Sequence, residues 1–352
     1  MKPIWNCPPA MAKATNHAKG PPMTKDQAPP EIKPLSAADL EAVIAIDKAT
    51  TGLSRRGYFE KRLDAATARP RDYVYVGLHE GGALAGYAFA KLVNGEFGKP
   101  GAGAALDAIG VAPGHTGRGF GRHLLGAVED ILRKKGVATL SSQINWSDPA
   151  MSGFFCAAGF DLAPRLVLTR STETIAPQLP GERVDDWDDE PDYSAPDGDD
   201  ADALSHDRVP VRSLRDTDLR KIISIDKAST GTDRSDYYER KLHESLFQSG
   251  VRVSLVAEME DYPVGFIMAR VDFGEFGHTS PEAEMDSIGV DPGYQGQGVG
   301  RALMAQLISS LAVLQVETLR TEVNWDDVGL ISYLRSCGFV PAQRISLVRQ
   351  LG

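Results

Sequence analysis

The chain has 352 residues and a formal net charge of −10, and 42% of its residues are hydrophobic. A chain of this length exceeds the usual size of one hydrophobic core, so two domains are expected. No apolar run approaches the roughly 20 residues that a membrane helix needs, and no basic stripe with interleaved aromatic residues indicates nucleic-acid binding. The 3 cysteines have no metal-ligand spacing, so they predict neither a disulfide framework nor a metal site and favour a cytoplasmic location.

Two segments are predicted to lie outside the folded domains. Residues 1–33 are rich in Pro, Ala and Lys without a continuous apolar stretch, which predicts a disordered tail and excludes a signal peptide. Residues 172–207 hold thirteen Asp or Glu against one Arg, a charge of −12 that leaves +2 for the rest of the chain. Such a composition cannot form a packed core, so we predict a disordered acidic linker.

The remainder of the chain contains two copies of one sequence unit, which align at a constant offset of 179 residues. Ile46–Ala49 matches Ile225–Ala228, and Gly95–Gly98 matches Gly274–Gly277. No gap is needed between about residues 35 and 170. A repeat of this length indicates two copies of one domain rather than a solenoid of short units. We therefore predict a first domain at 34–171 and a second at 208–352.

The elements of the second copy predict one strand, two helices, three strands, a helix, a strand, a helix and a final strand. Their predicted ranges are 209–214, 217–228, 234–246, 251–258, 264–273, 284–290, a helix that ends at 314, 316–325, 327–337 and 344–351. The first copy repeats this order. It predicts an α/β fold of the α+β type, in which each domain has a mixed, mostly antiparallel sheet flanked by helices.

A glycine-rich turn follows the fourth strand in each copy. In the second copy Val290–Arg301 reads Val-Asp-Pro-Gly-Tyr-Gln-Gly-Gln-Gly-Val-Gly-Arg, and in the first Val111–Arg122 reads Val-Ala-Pro-Gly-His-Thr-Gly-Arg-Gly-Phe-Gly-Arg. Glycine lets the backbone adopt unusual φ values and approach a ligand closely. The first amides of the next helix point outward with the positive end of its dipole. The strand–turn–helix order therefore predicts a site for a phosphate or pyrophosphate, although the turn matches neither the P-loop nor the dinucleotide motif.

The element order and this turn resemble the GNAT superfamily of acyl-CoA-dependent N-acetyltransferases. The family signature, Gln/Arg-x-x-Gly-x-Gly/Ala after a strand ending in Val-x-Pro, is matched by Gln295, Gly298 and Gly300. The resemblance implies acetyl-CoA as the cofactor and an amine as the acceptor. It also implies that the pyrophosphate binds to the amides of the turn and the pantetheine to the end of the fourth strand. The residues implied are Ile288, Gly289, Val290, Gln295, Gly296, Gln297, Gly298, Val299, Gly300 and Arg301.

The first copy departs from the signature, because Thr116 stands in the position of Gln295. Its glycines are retained, and backbone amides do most of the binding, so the resemblance still allows a second CoA site. Arg118, in place of Gln297, would add a phosphate contact. The residues implied there are Ile109, Val111, Gly117, Arg118, Gly119, Gly121 and Arg122.

The acid that protonates the departing thiolate is missing from its family position. Many family members supply it from a Tyr four residues before a Gly-Phe pair, but Leu334 and Phe155 occupy those positions here. Tyr333 lies one residue away and is the candidate acid. Asp148 and Asp327, where the family often has Asn, are predicted to cap the last helix of each copy.

The base that deprotonates the amine is expected among carboxylates near the fourth strand. Asp286 is one candidate, and period-two spacing predicts that it shares a strand face with Ile288. Glu275, in the loop before that strand, is the other.

Three residues are candidates for contact with the acceptor. Asp226 ends the first helix of the second copy, and Arg234 and Tyr237 belong to the second helix. The alternative for Asp226 and Arg234, and also for Asp286 and Glu275, is a salt bridge or loop cap that both copies keep because they share one fold. Trp146 and Trp325, which close the fifth strand, are expected in the core.

Two classes of function remain open. The main hypothesis is an N-acetyltransferase with the second copy as its active site and a small-molecule or peptide amine as acceptor. The alternative is a non-catalytic acyl-CoA sensor or an interaction scaffold, because neither copy has the tyrosine acid in its family position. No nucleic-acid, membrane or metal partner is expected. The tandem copies favour a monomer with an internal pair of domains or a homodimer.

Overall fold

The computed structural model describes residues 29–52, 54–94, 102–173, 209–243, 251–273 and 281–352. The first 28 residues of the predicted tail, the predicted linker from residue 174 and the candidate base Glu275 lie outside these ranges. The described residues form two mixed sheets of seven strands each, flanked by helices. The predicted α+β fold is thereby confirmed. No helix in these ranges is both long enough and apolar enough to cross a membrane.

Both copies follow the predicted order of elements, and each has one additional two-residue strand directly before its last strand. The first copy contains β1 (Glu31–Pro34), α1 (Leu40–Thr51), α2 (Arg56–Ala68), β2 (Tyr73–Glu80), β3 (Ala83–Asn94), β4 (Ala102–Val111), α3 (Phe120–Lys134), β5 (Thr139–Asn145), α4 (Pro149–Ala157), β6 (Asp161–Leu162) and β7 (Arg165–Ser171). The second contains β8 (Val211–Ser213), α5 (Leu219–Thr230), α6 (Ser235–His243), β9 (Leu255–Met259), β10 (Tyr262–Phe273), β11 (Pro281–Val290), α7 (Val299–Val313), β12 (Thr318–Asn324), α8 (Val328–Ser336), β13 (Val340–Pro341) and β14 (Arg344–Gln350).

Side-chain caps begin the last helix of each copy, as predicted. Asp148 accepts a hydrogen bond of 3.0 Å from the amide of Met151, and Asp327 accepts one of 3.0 Å from the amide of Leu330. Each bond satisfies an amide that has no partner within the helix. These aspartates therefore have a structural role.

Helices cover both faces of the sheet in the first unit. On one face, α1 and α2 pack against a cluster that includes Phe59 and Phe89. On the other, Leu124 and Leu125 of α3 pack against a cluster that includes Leu140 and Leu347. In the second unit, Ile225 and Tyr238 belong to the matching cluster beneath α5 and α6. The sheet of the first unit is thus buried on both sides, which fixes the direction of each side chain along its strands.

The last strand of each copy belongs to the sheet of the other copy. The first sheet has the order β1-β2-β3-β4-β5-β14-β6, and the second has the order β13-β7-β12-β11-β10-β9-β8. All seven residues of β14 pair with β5 in antiparallel register, from Arg344 opposite Asn145 to Gln350 opposite Thr139. The first compact unit therefore includes residues 341–352, and the second begins at Leu168. These units differ from the predicted domains, which each kept their own final strand.

Specific contacts hold β14 in the first unit. Arg349 Nε lies 3.0 Å from Oε1 of Glu129, a buried carboxylate on α3. The guanidinium of Arg133, one turn further along that helix, donates a hydrogen bond of 2.7 Å to the carbonyl of Leu351. Leu347 is fully buried in the core. The strand is therefore an integral part of this unit.

Replacing Leu347 by Ala is expected to destabilise the first unit. Truncating a buried leucine removes apolar contacts and leaves a cavity, at a cost of about 2–5 kcal/mol. Hydrogen exchange should show faster exchange for the β5 amides, because β5 is the strand that pairs with β14. The exposed Gln350→Ala is the control and should change stability by less than about 0.5 kcal/mol. Lost protection in β12 with β5 unchanged would contradict the strand assignment.

Candidate active site

The two glycine turns have the same backbone. Gly117 and Gly119 have φ values of +74° and +81°, and Gly296 and Gly298 have values of +76° and +81°. Gly119 and Gly298 directly precede α3 and α7. A Cβ built on any of these four glycines would meet nothing within 4 Å. The glycines are therefore required by the backbone conformation, and the space beside them is open to a ligand.

The two glutamines of the second turn are neutral and bond within the turn, whereas its carboxylate, Asp291, is paired with a lysine. Gln295 donates to the carbonyl of Val290 at 3.4 Å, and Gln297 donates to the carbonyl of Gly293 at 3.2 Å. Asp291 accepts from the amide of Gly293 at 3.1 Å and lies 3.0 Å from Lys221 Nζ, and these contacts lower the pKa of Asp291. The helix N-terminus behind this turn can therefore accept an anion.

The first turn holds a charged side chain that is already paired. The guanidinium of Arg118 donates two hydrogen bonds to Glu80, one of them 2.8 Å long, and His115 Nε2 lies 3.1 Å from the same carboxylate. The hydrogen bonds from Arg118 lower the pKa of Glu80. The predicted phosphate contact from Arg118 thus competes with an internal carboxylate.

The sheet opens between the fourth and fifth strands of the second copy. The parallel pairing of β11 with β12 covers only Glu282–Glu284 opposite Thr318–Arg320. One residue further on, Thr321 Oγ1 donates to the carbonyl of Met285 at 2.9 Å, so a side chain replaces the backbone ladder. β4 and β5 part in the same way after Ala105. Beyond this point the strand ends, including Ile288, Gly289 and Val290, can accept a ligand that pairs like an added strand.

A network of buried charged side chains lies at this opening in the second unit. Lys241 Nζ of α6 lies 2.9 Å from Asp286 Oδ1, and Arg270 lies 3.7 Å from the same oxygen. Arg270 also pairs with Glu284, whose carboxylate lies 3.1 Å from Arg320. Asp286, the predicted base, is therefore held by two cations.

Asp286 and Ile288 do not share a strand face, contrary to the prediction. Asp286 contacts α6, and a Cβ on Gly289 would lie 2.6 Å from Phe266 and 3.4 Å from Ile225, which belong to the cluster on that same side. Strict alternation would place residues 286 and 289 on opposite faces, but both lie on this side, so the alternation is broken between them. Ile288 alternates with its neighbour Gly289 and therefore points to the face opposite to that of Asp286. In the first copy the cause is visible, because the pairing of β3 with β4 shifts at Phe89 and leaves Asp107 as an extra residue.

Glu322 is a buried carboxylate at the opening that the sequence analysis did not identify. It lies on β12 two residues beyond Arg320, the last residue paired with β11, and it is 9% exposed. Alternation along the strand places it on the same face as Arg320. The equivalent residue of the first copy is Gln143, which accepts a hydrogen bond from Arg344 at 3.4 Å. A search for differences between the copies, instead of matches, would have found it.

Tyr333 bonds to the first turn of α7. Its hydroxyl donates a 2.7 Å hydrogen bond to the carbonyl of Gly300, and a Cβ on Gly300 would lie 3.3 Å from the tyrosine ring. Burial raises the pKa of Tyr333, and Cys337 contributes in the same direction. The equivalent Phe154 packs against Gly121 without a hydroxyl. The shared feature of the two copies is therefore the ring and its contact with glycine.

Tyr333→Phe is expected to lower the free energy of unfolding by about 0.5–1.5 kcal/mol, the net contribution of one hydrogen bond. The acetyl transfer that the family resemblance implies should fall less than about tenfold, because the hydroxyl already donates to the Gly300 carbonyl. Denaturant unfolding and steady-state kinetics check the two effects. A loss of kcat of about 10²-fold or more, as expected for a general acid, would contradict the anchoring role.

The three predicted acceptor residues lie in a buried cluster between α5 and α6. Arg234 Nε donates to Asp226 at 2.8 Å, and the Tyr238 hydroxyl donates to the same carboxylate at 2.9 Å. Tyr237 is 3% exposed. In the first copy the matching pair is Asp47 with Arg55, and there the hydroxyl comes from Tyr87 on β3. These contacts favour the structural alternative for Asp226, Arg234 and Tyr237.

The remaining predictions for the site had different outcomes. Trp146 and Trp325 are 63% and 49% exposed, so the expectation that they lie in the core is wrong. They follow the ends of β5 and β12, where the chain turns toward the next helix and no second layer covers them. Arg122 and Arg301 are exposed on the first turns of their helices, and Cys337 is buried. Among the described residues no group of His, Cys, Asp or Glu is arranged to hold a metal ion.

Paired strands that part beside a glycine turn and a helix N-terminus define an acyltransferase fold in each copy. The model of the Acetyltransferase (GNAT) family matches residues 40–160 and 219–339, once in each copy. These matches cover more than half of the chain. The chain belongs to the Acetyltransferase (GNAT) family, a family of acyltransferases.

Known relatives include enzymes that acetylate amino groups. The [ribosomal protein bS18]-alanine N-acetyltransferase of Escherichia coli (strain K12) is 45% identical over 135 residues, which cover 37% of this chain and 79% of that enzyme. N-alpha-acetyltransferase RimI of Mycobacterium tuberculosis (strain ATCC 25618 / H37Rv) is 34% identical over 87 residues, 24% of this chain, and the match spans only 51% of that enzyme. The structure of a tandem GNAT protein from the clavulanic acid biosynthesis pathway has a TM-score of 0.59 at 17% identity, covering 92% of this chain and 99% of that one. This last similarity concerns the fold alone.

Proposed function

We propose that the second unit binds acetyl-CoA and transfers its acetyl group to an amine. The observation that carries the proposal is the combination, in this unit, of an open turn with the uncharged Tyr294 and Gln297 and a buried carboxylate where the strands part. The first unit has the same backbone, but its turn contains the Arg118–Glu80 ion pair, and Gln143 replaces the carboxylate.

The residues of the second turn fit the cofactor. The space around Gly296 and Gly298 is open, so a pyrophosphate can approach the amides of residues 295–301. The exposed Arg301 adds positive charge beside it. The pantetheine would bind along Ile288 to Val290, where β11 has no partner strand in β12. When bound, acetyl-CoA supplies the activated thioester, and the protein positions it.

Glu322 is the residue that we assign as general base. An amine must lose a proton to attack a carbonyl carbon, and a carboxylate beside the parted strands can accept that proton. Asp286 already pairs with two cations, Lys241 and Arg270, so we assign it to the charge network of the sheet. Tyr333 anchors the turn, so water would protonate the departing thiolate.

The acceptor class is a primary amine on a peptide or a small molecule. According to their names, one relative acetylates an alanine of ribosomal protein bS18 and another is an N-alpha-acetyltransferase, which supports testing peptide N-termini first. A cytoplasmic location is part of the proposal, because Cys337 is a free thiol and thiols persist under reducing conditions.

Incubation of the full chain with acetyl-CoA and a panel of amines tests this function. The panel contains a peptide with N-terminal alanine, lysine, a polyamine and an aminoglycoside, and the release of free thiol is followed. We expect amine-dependent thiol release with at least one member of the panel. Binding of acetyl-CoA without turnover on any amine would favour the alternative, an acyl-CoA sensor.

A further inference from the structure

An internal ion pair distinguishes the first glycine turn from the second. Glu80, the last residue of β2, binds Arg118 through two hydrogen bonds and lies 3.1 Å from His115 Nε2. The Glu80 side chain is only 6% exposed. Arg118 also stacks over Phe120, with its guanidinium carbon 4.7 Å from the ring centroid. The cationic side chain of this turn is therefore bound both by a carboxylate and by an aromatic face.

The equivalent positions of the second copy lack these charges. At the offset of 179 residues, Glu80 corresponds to Met259, Arg118 to Gln297 and His115 to Tyr294. Gln297 bonds to the carbonyl of Gly293 within its own turn. Because the glycine φ values of the two turns agree within a few degrees, the difference between the turns lies in their side chains.

A carboxylate in this position affects an incoming pyrophosphate in two ways. It binds the guanidinium of an arginine of the turn in the bidentate geometry in which that arginine could otherwise bind a phosphate. It also places a negative charge beside the turn, and two negative charges at short distance repel each other most strongly where water is excluded.

We infer that Glu80 acts as an internal anion that closes the first glycine turn to CoA, so that the chain holds one CoA molecule, in its second unit. The inference rests on the proposed function, because it concerns the same cofactor. According to this inference, Glu80 determines which of the two turns, with the same backbone, binds CoA.

Calorimetric titration of acetyl-CoA into the full-length chain tests the inference. Wild type should bind one equivalent and Glu80→Gln two, because the substitution frees Arg118 and removes the charge. The reciprocal variant, Met259→Glu with Gln297→Arg, installs the ion pair in the second turn and should lose the single site. Glu41→Gln is the control, since this exposed glutamate pairs with Arg56 away from the turn, and it should still bind one equivalent.

Three results would overturn the inference: two equivalents in wild type, no additional equivalent in Glu80→Gln, or unchanged binding in the reciprocal variant. The reciprocal variant keeps the test valid if Glu80→Gln does not fold. Failure of the proposed function gives a different result, because wild type would then bind no acetyl-CoA or would bind one equivalent without turnover on any amine. In both cases the number of equivalents that Glu80→Gln gains over wild type still tests the inference separately.

Discussion

Glu322→Gln is expected to lower kcat for acetyl transfer by about 10²–10⁴-fold, the usual contribution of a general base. The amide has almost the same shape as the carboxylate but cannot accept the proton of the amine. Binding of acetyl-CoA should change little, because the turn that we propose for the pyrophosphate is a separate part of the site. Steady-state kinetics and calorimetry on the same variant separate the two effects.

Two further variants make this result specific. Glu317→Gln changes an exposed glutamate just before the same strand and should leave kcat unchanged. Asp286→Asn breaks the ion pair with Lys241, whose Nζ lies 2.9 Å away, and should mainly lower stability, by about 3–5 kcal/mol for a buried pair. If Asp286→Asn folds normally and loses activity while Glu322→Gln keeps it, the base is Asp286.

Gly298→Glu is expected to abolish measurable binding of acetyl-CoA. A carboxylate at this position would face the pyrophosphate, and two unit charges 4 Å apart repel by roughly 4 kcal/mol at an effective dielectric of 20. That energy corresponds to about a 10³-fold weaker affinity. Calorimetric titration measures the loss.

The first copy offers a matched control for this variant. Gly119 has the same φ of +81°, and a Cβ on it would also meet nothing within 4 Å. Gly119→Glu therefore introduces the same charge and the same backbone strain into the other turn. It should leave binding of one equivalent unchanged. Equal losses in both variants would mean that strain, rather than the site, causes the effect.

The glycine turns could be predicted from the sequence because their requirements are local. A strand that ends in Val-x-Pro, glycines at fixed positions and a helix start are all written in consecutive residues, and Gly298 takes the left-handed conformation that only glycine adopts easily. The helix caps Asp148 and Asp327 were predictable for the same reason.

The exchange of final strands could not be predicted from the sequence. β7 reads Arg-Leu-Val-Leu-Thr-Arg-Ser, β14 reads Arg-Ile-Ser-Leu-Val-Arg-Gln, and both have the same burial pattern, with two consecutive buried residues in the middle of the strand. Either strand thus has the apolar pattern that either sheet needs. The choice depends on contacts distant in sequence, such as Arg349 with Glu129.

The active-site carboxylates were only partly predictable, because a bulge and a charge network decide their roles. Period-two spacing fails where the strand gains a residue at Asp107, and the same break between Asp286 and Gly289 changes which face each side chain occupies. The sequence also gives no sign that Lys241 pairs with Asp286. The repeat does not indicate Glu322 either, because this is a position at which the copies differ, with Gln143 in the first.

A crystal structure of the full-length chain with acetyl-CoA tests the central claim most directly. We predict one bound molecule, with its pyrophosphate on the amides of residues 295–301 and its thioester between β11 and β12 beside Glu322. A molecule bound at the first glycine turn, or one in the second unit with its thioester remote from Glu322, would contradict this account.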